Sequence, residues 1–220
     1  MHLPLPAKMV ATVLFAALLT GVALGEDVPL TRDGDALKFL AAGQTLSMPL
    51  PEWLSADDLK KTNIKPLLTI AYTGDKSDAQ VEIFPKGESQ KDWKTRYGAH
   101  VLVHVNEPLQ RFRDALIVLF SRTCPKAQTG FFQTEPDDGE KLATLGFICA
   151  AYDAAGPLAG QGEVALLQFH KTDKGVGVVY QDWRGASFDA AKPATWPIST
   201  EALAARAAQF KAAIALSATE

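Results

Sequence analysis

Three histidines are the residues of this chain whose type and spacing come nearest to a metal site. His100 and His104 are four positions apart, with Glu107 beyond them, and on a helix this spacing would present both imidazoles to one zinc ion. The valines that alternate with them over residues 101–105 indicate a strand instead. Residues four apart on a strand lie about 13 Å from each other, too far to share one ion. We therefore favour surface or half-buried histidines here, and His170 can join them only through tertiary structure.

Motifs for covalent catalysis or for phosphate binding are missing from the sequence. A G-x-S-x-G elbow or an S-x-x-K pair would supply an activated serine, and neither occurs. The glycine-rich segments 156–162 and 175–177 lack both the G-x-G-x-x-G pattern and the ending of a P-loop. The sequence therefore predicts no catalytic residue, no metal and no cofactor.

Aromatic residues and one arginine provide the candidates for ligand binding, namely Trp93, Trp183 and Arg184. Tryptophan and arginine are enriched where protein surfaces bind partners, and an aromatic ring beside a permanent cation can hold an anionic or planar ligand. The same residue types also fill the margins of helix-on-sheet cores. For the wider set that includes Tyr97 and Trp196, core packing is the favoured interpretation.

Two cysteines, Cys124 and Cys149, are the only ones in the chain. In an oxidising compartment they most simply form one disulfide. Their separation of 25 positions is not the C-x-x-C spacing of redox-active pairs, so the predicted bridge is structural. Closing a loop of this length would stabilise the fold by about 3 kcal/mol.

The first 25 residues have the three parts of a secretory signal peptide. Lys8 carries the positive charge, residues 9–22 form an apolar run, and Ala23 and Gly25 supply the small residues of a cleavage site. This run is shorter than the roughly 20 apolar residues that cross a bilayer. We therefore expect removal of residues 1–25 and a location in the periplasm, or secretion, where a disulfide can form.

Composition narrows the range of partners. The chain has 22 basic and 25 acidic residues in 220, a formal net charge of -3, and its basic residues are scattered. Proteins that bind nucleic acid usually carry a basic face or stripe, so a nucleic-acid partner is not expected. No later segment approaches 18 consecutive apolar residues, so a membrane-spanning segment is not expected either. The predicted partner is an unidentified periplasmic protein or a small ligand.

Periodicity and turn residues predict a flexible tail over residues 26–35 and a single α+β domain over residues 36–220. The expected fold is a mainly antiparallel sheet covered by helices, because paired strands cluster in the middle and late parts of the chain. The predicted elements are two hairpins (66–72 with 79–84, and 163–170 with 175–183), a strand at 100–105, and helices at 89–97, at 109–122 and after Ser199.

Several short segments resemble a group of uncharacterised proteobacterial exported proteins whose domain is similar to the PsbP-like α/β/α sandwich. These are residues 83–93, Thr123-Cys124-Pro125, Phe147-Ile148-Cys149, and the strand Val178-Val179-Tyr180 that leads to Trp183-Arg184. The resemblance extends over most of residues 45–217. It implies an antiparallel sheet covered by helices, a cysteine pair and no established catalytic machinery, and it implies no substrate.

The function predicted from these observations is that of an exported, non-enzymatic binding or accessory protein stabilised by one disulfide. The alternative is a periplasmic metal-dependent or hydrolytic enzyme whose site is assembled only by folding. Its candidate residues are His100, His104, His170 and Glu163.

Overall fold

A computed structural model describes residues 28–138 and 141–219, so the predicted signal peptide lies outside the described residues. Within these ranges the chain forms eleven strands and three α-helices, and none of these helices is long and apolar enough to cross a bilayer. The strands are β1 (Leu30–Asp33), β2 (Ala36–Ala41), β3 (Gln44–Pro49), β4 (Leu68–Gly74), β5 (Asp78–Pro85), β6 (Thr95–Val103), β7 (Thr129–Gln133), β8 (Leu145–Cys149), β9 (Gln161–Lys171), β10 (Gly175–Ala186) and β11 (Ala215–Ala218). The helices are α1 (Ala56–Leu59), α2 (Leu109–Thr123) and α3 (Thr200–Ala213).

Seven strands form the large sheet, in the order β4-β5-β6-β10-β9-β8-β7, with every neighbouring pair antiparallel. The two predicted hairpins are present as β4–β5 and β9–β10. β9 and β10 lie near the centre of the sheet and are buried along most of their length. Strands that are covered on both faces have long runs of apolar residues in their sequence, because side chains on either face are buried.

One face of the large sheet is covered by a second sheet. Strands β1, β2, β3 and β11 form this smaller antiparallel sheet, and it packs together with α3 against β5, β6, β9 and β10. The core between the two sheets is apolar and includes Phe39, Leu46, Val81, Val101 and Phe210, all of them fully buried. Burial of this interface is the main source of cohesion between the sheets.

The opposite face of the large sheet is covered over only part of its width. The amphipathic helix α2 packs Leu116 and Phe120 onto β8, β9 and β10. The ring of Phe120 stacks on Phe147 of β8, with 4.4 Å between centroids. Where the same face continues over β4, β5 and β6, it carries polar side chains such as Gln80 and Glu82. This uncovered half is where a cleft can form.

The predicted α+β fold with helices covering a sheet is wrong. Strand is the predominant secondary structure of the described residues, it forms two antiparallel sheets packed face to face, and the arrangement is closer to a β-sandwich. The difference arises at the two ends of the domain. Residues 30–33, inside the predicted tail, pair with β2, and residues 215–218 pair with β3. The resulting small sheet occupies the face on which a helical layer was expected.

The predicted disulfide is confirmed. Cys124 and Cys149 are bonded, with 5.8 Å between their Cα atoms, and both residues are buried. Cys124 directly follows α2 and Cys149 is the last residue of β8. The bridge therefore joins the end of the covering helix to the sheet beneath it.

The predicted helix from Ser89 to Tyr97 is wrong. Ser89 and Asp92 form a short turn in which the backbone of each accepts a hydrogen bond from the other, and β6 begins at Thr95. Tyr97 is fully buried between the two sheets and its hydroxyl donates to the carbonyl oxygen of Pro49. Pairing of β6 with both β5 and β10 overrides the local capping pattern.

Candidate ligand-binding cleft

A cleft of about 630 Å³ lies over the uncovered half of the large sheet. Its floor comes from β4, β5, β6 and the ends of β9 and β10. Its opposite wall comes from the end of α2, with Phe120 and Thr123, and from the segment after β8, with Tyr152 and Leu158. The charged and aromatic side chains clustered at the ends of β9 and β10 are Glu82, Trp93, Arg96, Glu163 and Arg184, and Tyr72, Asp75, Asp78 and Lys91 also line the cleft.

Strand alternation places the polar side chains in the cleft. Successive residues of a strand point to opposite faces of a sheet. On β5, Val81 and Ile83 enter the core between the sheets, whereas Glu82 faces the cleft. On β10, Asp182 and Arg184 share the cleft side. Each strand thus supplies an apolar side chain to the core and a charged one to the site.

Arg96 is held between two buried carboxylates. Its Nε donates to Asp182 at 2.7 Å and its Nη1 donates to Glu82 at 3.2 Å. The second oxygen of Glu82 accepts a hydrogen bond from Gln90. Burial raises the pKa of Asp182 to about 7, with a further increase from the charge of Glu163 and an opposing effect of Arg96. Burial therefore favours the protonated form of Asp182 more than it does for an exposed carboxyl group.

A second ion pair lies beside the first. Arg184 donates from Nη2 to Glu163 at 2.8 Å, and the two residues are direct cross-strand partners on β10 and β9. The hydroxyl of Tyr152 donates to the same carboxylate oxygen at 3.0 Å. Burial raises the pKa of Tyr152, and the negative charge of Glu163 raises it further, so the phenol stays protonated. These bonds fix the loop after β8 to the floor of the cleft.

Trp93 positions both arginines. The guanidinium carbon of Arg184 lies 3.6 Å from the centroid of the indole, and that of Arg96 lies 4.7 Å from it. Cation–π contacts of this kind are worth about 0.5–2 kcal/mol and are strongest away from water. Trp93 is itself 6% exposed, so a buried indole ring packs against both guanidinium groups.

Tyr180 is buried next to the cleft residues Gln80 and Arg96 and lies against a glycine. The amide of Gln80 donates to the Tyr180 hydroxyl at 3.0 Å, and burial raises the pKa of this phenol well above its usual value. A Cβ atom at Gly98 would lie 2.4 Å from the ring carbon Cζ of Tyr180 and 2.7 Å from the carbonyl oxygen of Val81. The absence of a side chain at position 98 therefore allows the ring to lie against β6.

The structure brings two of the three predicted ligand-binding residues together. Trp93 and Arg184 contact each other in the cleft. Trp183 lies on the other face of β10, is 4% exposed, and donates from its indole nitrogen to Glu52. The neighbouring pair Trp183-Arg184 is therefore split between the core and the cleft, as alternation along a strand requires.

The three candidate histidines do not converge. His100 is on the cleft side of β6, where its Nε2 lies 2.5 Å from the carboxylate of Asp78. His104 follows β6 with a left-handed backbone, at a φ of 60°. His170 lies near the end of β9, and burial together with Lys141 lowers its pKa. Across residues 28–138 and 141–219, no group of three or more histidine, cysteine or acidic side chains is arranged to hold a metal ion.

Four residues of the site escaped the sequence reasoning: Glu82, Arg96, Tyr152 and Asp182. One signal for them was available, because Glu82 and Asp182 each interrupt a strand otherwise made of residues that can be buried. A charge in such a strand is costly unless it is paired. Its partner, however, comes from another strand and cannot be identified from local sequence.

Comparison of the chain with family models, with curated proteins and with solved structures gives no match. The resemblance of its short segments to exported proteobacterial proteins stays a prediction. The cleft is therefore the main indication of what the protein does.

Proposed function

We propose that this protein is exported from the cytoplasm and acts, without catalysis, as a binding protein for a small polar ligand held in the cleft. The observation that carries the proposal is the cleft itself, in which paired arginines and carboxylates converge opposite an apolar wall. Ligand pockets usually have volumes of about 300–1,000 Å³ and combine apolar lining with a few placed polar groups. At about 630 Å³ this cleft lies within that range, and its lining is more polar than that of a usual pocket, which suits a polar ligand.

The rigidity of the site also favours binding. Glu82, Arg96, Glu163 and Arg184 are all strand residues of one continuous sheet, and each takes part in an ion pair. A site whose polar groups are already in place loses little conformational entropy when a ligand binds. The histidines of the enzymatic alternative lie apart, whereas these four side chains meet.

Export is supported by two separate features. The first 25 residues have the pattern of a cleavable signal peptide, and the two cysteines of the chain form a disulfide, which persists in oxidising compartments. Fractionation of cells that produce the full-length chain tests this part. We expect the periplasmic or secreted fraction to contain protein cleaved near Gly25, and an uncleaved chain in the cytosol would contradict it.

The binding function is tested with a library of small polar compounds and the purified mature protein. A ligand that binds the native state raises the melting temperature, and titration calorimetry then gives its Kd. Leu158→Trp places a bulky ring in the wall of the cleft, and Leu40→Trp, on the exposed side of the small sheet, is its matched control.

We expect Leu158→Trp to weaken each confirmed ligand by about tenfold or more, and Leu40→Trp to change its Kd by less than about twofold. The proposal fails if the library yields no ligand. It also fails if the compounds that bind are insensitive to Leu158→Trp.

A further inference from the structure

We propose that the cleft recognises an oxyanion group, a carboxylate or a phosphate on a small organic molecule, through the unshared N–H groups of Arg96 and Arg184. This inference rests on the proposed function and deepens it by naming the chemical class of the ligand. It is argued from three properties of the site: the donors that are left over, the acceptors that are already used, and the fixed position of the two cations.

Both guanidiniums have donors to spare. A guanidinium carries five N–H bonds. Arg96 uses Nε and Nη1 for Asp182 and Glu82, and Arg184 uses Nε and Nη2 for Glu163. Among the described residues, nothing accepts from Nη2 of Arg96 or from Nη1 of Arg184. The two side chains are 17% and 13% exposed and line the cleft, so these donors are open to a ligand.

The carboxylates of the floor are largely occupied. The oxygens of Glu82 accept from Arg96 and from Gln90. One oxygen of Glu163 accepts from Arg184 and from Tyr152. The carboxylates nearest the two arginines are thus hydrogen-bonded, and an incoming ammonium group there would meet two guanidiniums.

The geometry of the two arginines matches an oxyanion. Both guanidinium carbons lie within 5 Å of the centroid of Trp93, one at 4.7 Å and the other at 3.6 Å. One indole thus contacts both guanidinium groups, and both arginines line the same cleft. Planar guanidinium groups bind carboxylate and phosphate oxygens with paired hydrogen bonds, which is the reason that arginine is preferred at such sites.

Protonation of the cluster should strengthen anion binding. Among the residues paired with the two arginines, three carboxyl groups (Glu82, Glu163 and Asp182) face two guanidiniums. Asp75, Asp78 and Lys91 also line the cleft, so a proton on Asp182 reduces the excess of negative charge. Because the raised pKa of Asp182 is about 7, binding should weaken as the pH rises from about 6 to about 8. The charged and titratable groups around Asp182 on the packed elements are Glu82 of β5, Arg96 of β6, Glu163 of β9, Tyr180 and Arg184 of β10, and Tyr152 after β8.

The test uses four probes that share a phenyl ring and differ in the polar group: benzoate, phenyl phosphate, benzylamine and benzamide. Their Kd values are measured by calorimetry or NMR titration on the mature, disulfide-bonded protein. Arg184→Lys keeps the charge but removes the planar fork. Arg113→Lys is the matched control, because Arg113 is 12% exposed and pairs with Asp137 at 2.8 Å, as Arg184 pairs with Glu163 at 2.8 Å.

We expect benzoate, phenyl phosphate or both to bind more tightly than benzylamine and benzamide. Arg184→Lys should weaken the anionic probe about tenfold or more, the usual effect of losing a hydrogen bond between charged groups. Arg113→Lys should change its Kd by less than about twofold. If Arg184→Lys does not fold, Arg96→Lys and the side-chain N–H resonances of the wild-type arginines, followed during benzoate titration, decide the question.

Several results would overturn the inference. These are tighter binding of benzylamine or benzamide, equal effects of the two lysine variants, or arginine resonances that do not move with benzoate. If neutral or cationic library compounds bind in the cleft while both anionic probes fail, the ligand class is wrong and the binding function stands. If no compound of any charge binds, the binding function itself is wrong.

Discussion

Removal of the disulfide is the perturbation whose size can be worked out most directly from the structure. The bridge closes a loop of 25 residues between the end of α2 and the end of β8. In the chain-entropy treatment, a cross-link over this length restricts the unfolded chain by about 3.5 kcal/mol at 25 °C. We therefore expect the double variant Cys124→Ala/Cys149→Ala to lose about 3 kcal/mol in free energy of unfolding, a large share of the stability of an ordinary domain.

The assay is equilibrium unfolding in urea, for wild type and double variant, each with and without a reducing agent. Reduction should destabilise the wild type by nearly as much as the double substitution does. It should leave the variant unchanged, which makes the variant its own control for unspecific effects of the reductant. The slope of the unfolding free energy with urea should be compared as well, since a more open unfolded chain raises it.

The same perturbation should reach the cleft. Phe120 and Thr123, which line the wall, directly precede Cys124, so the bridge holds this end of α2 in place. Once a ligand is known, its Kd should rise in the double variant. A loss of stability below about 1 kcal/mol, or the same effect of reductant on the variant as on the wild type, would refute the reasoning about loop closure.

Two further predictions concern residues of β6 and β10 that support the cleft. Gly98→Ala should destabilise the fold by about 1–3 kcal/mol in urea unfolding, because the new methyl group would overlap the ring of Tyr180. Gly130→Ala is the control and should have a clearly smaller effect, since its Cβ would meet no atom closer than 3.7 Å. Similar losses of stability for the two variants would contradict this prediction. Asp182→Asn tests the raised pKa. Because the folded-state pKa of about 7 lies above the ordinary value of 3.8, the native state binds the extra proton between these values, so the free energy of wild-type unfolding should fall as the pH rises from about 4 to about 7. The asparagine variant should lose that part of the pH dependence, and an unchanged slope would show that another group is responsible.

Local sequence was sufficient to predict elements whose interacting residues are close in the chain, and to predict the disulfide, for which only one pairing is possible. The hairpins β4–β5 and β9–β10 and the helix α2 were predicted from periodicity and turn residues, and they are present. The disulfide was predictable because the chain has two cysteines and therefore one possible pairing within the molecule. In each of these cases, the residues of one short segment, or the number of cysteines in the chain, were enough to make the prediction.

The covering of each sheet face was decided only by tertiary structure. Periodicity shows that a strand has an apolar face, but the same face can pack on a helix or on another sheet. Here β1 and β11 come from opposite ends of the domain and complete the small sheet around β2 and β3. These strands pair with residues far away in the sequence. They are short and have weak local preferences for the strand conformation, so they cannot be predicted without knowledge of their pairing partners.

The candidate site shows the same division. Trp93 and Arg184 could be selected from the sequence by residue type, and strand alternation by itself separates Arg184 from Trp183. What the sequence could not indicate is that Glu82 and Arg96, from the consecutive strands β5 and β6, share a cleft with Glu163 of β9, which is distant in the chain. The composition of each strand is local, whereas the cleft exists because α2 covers one half of a sheet face and leaves the other half open.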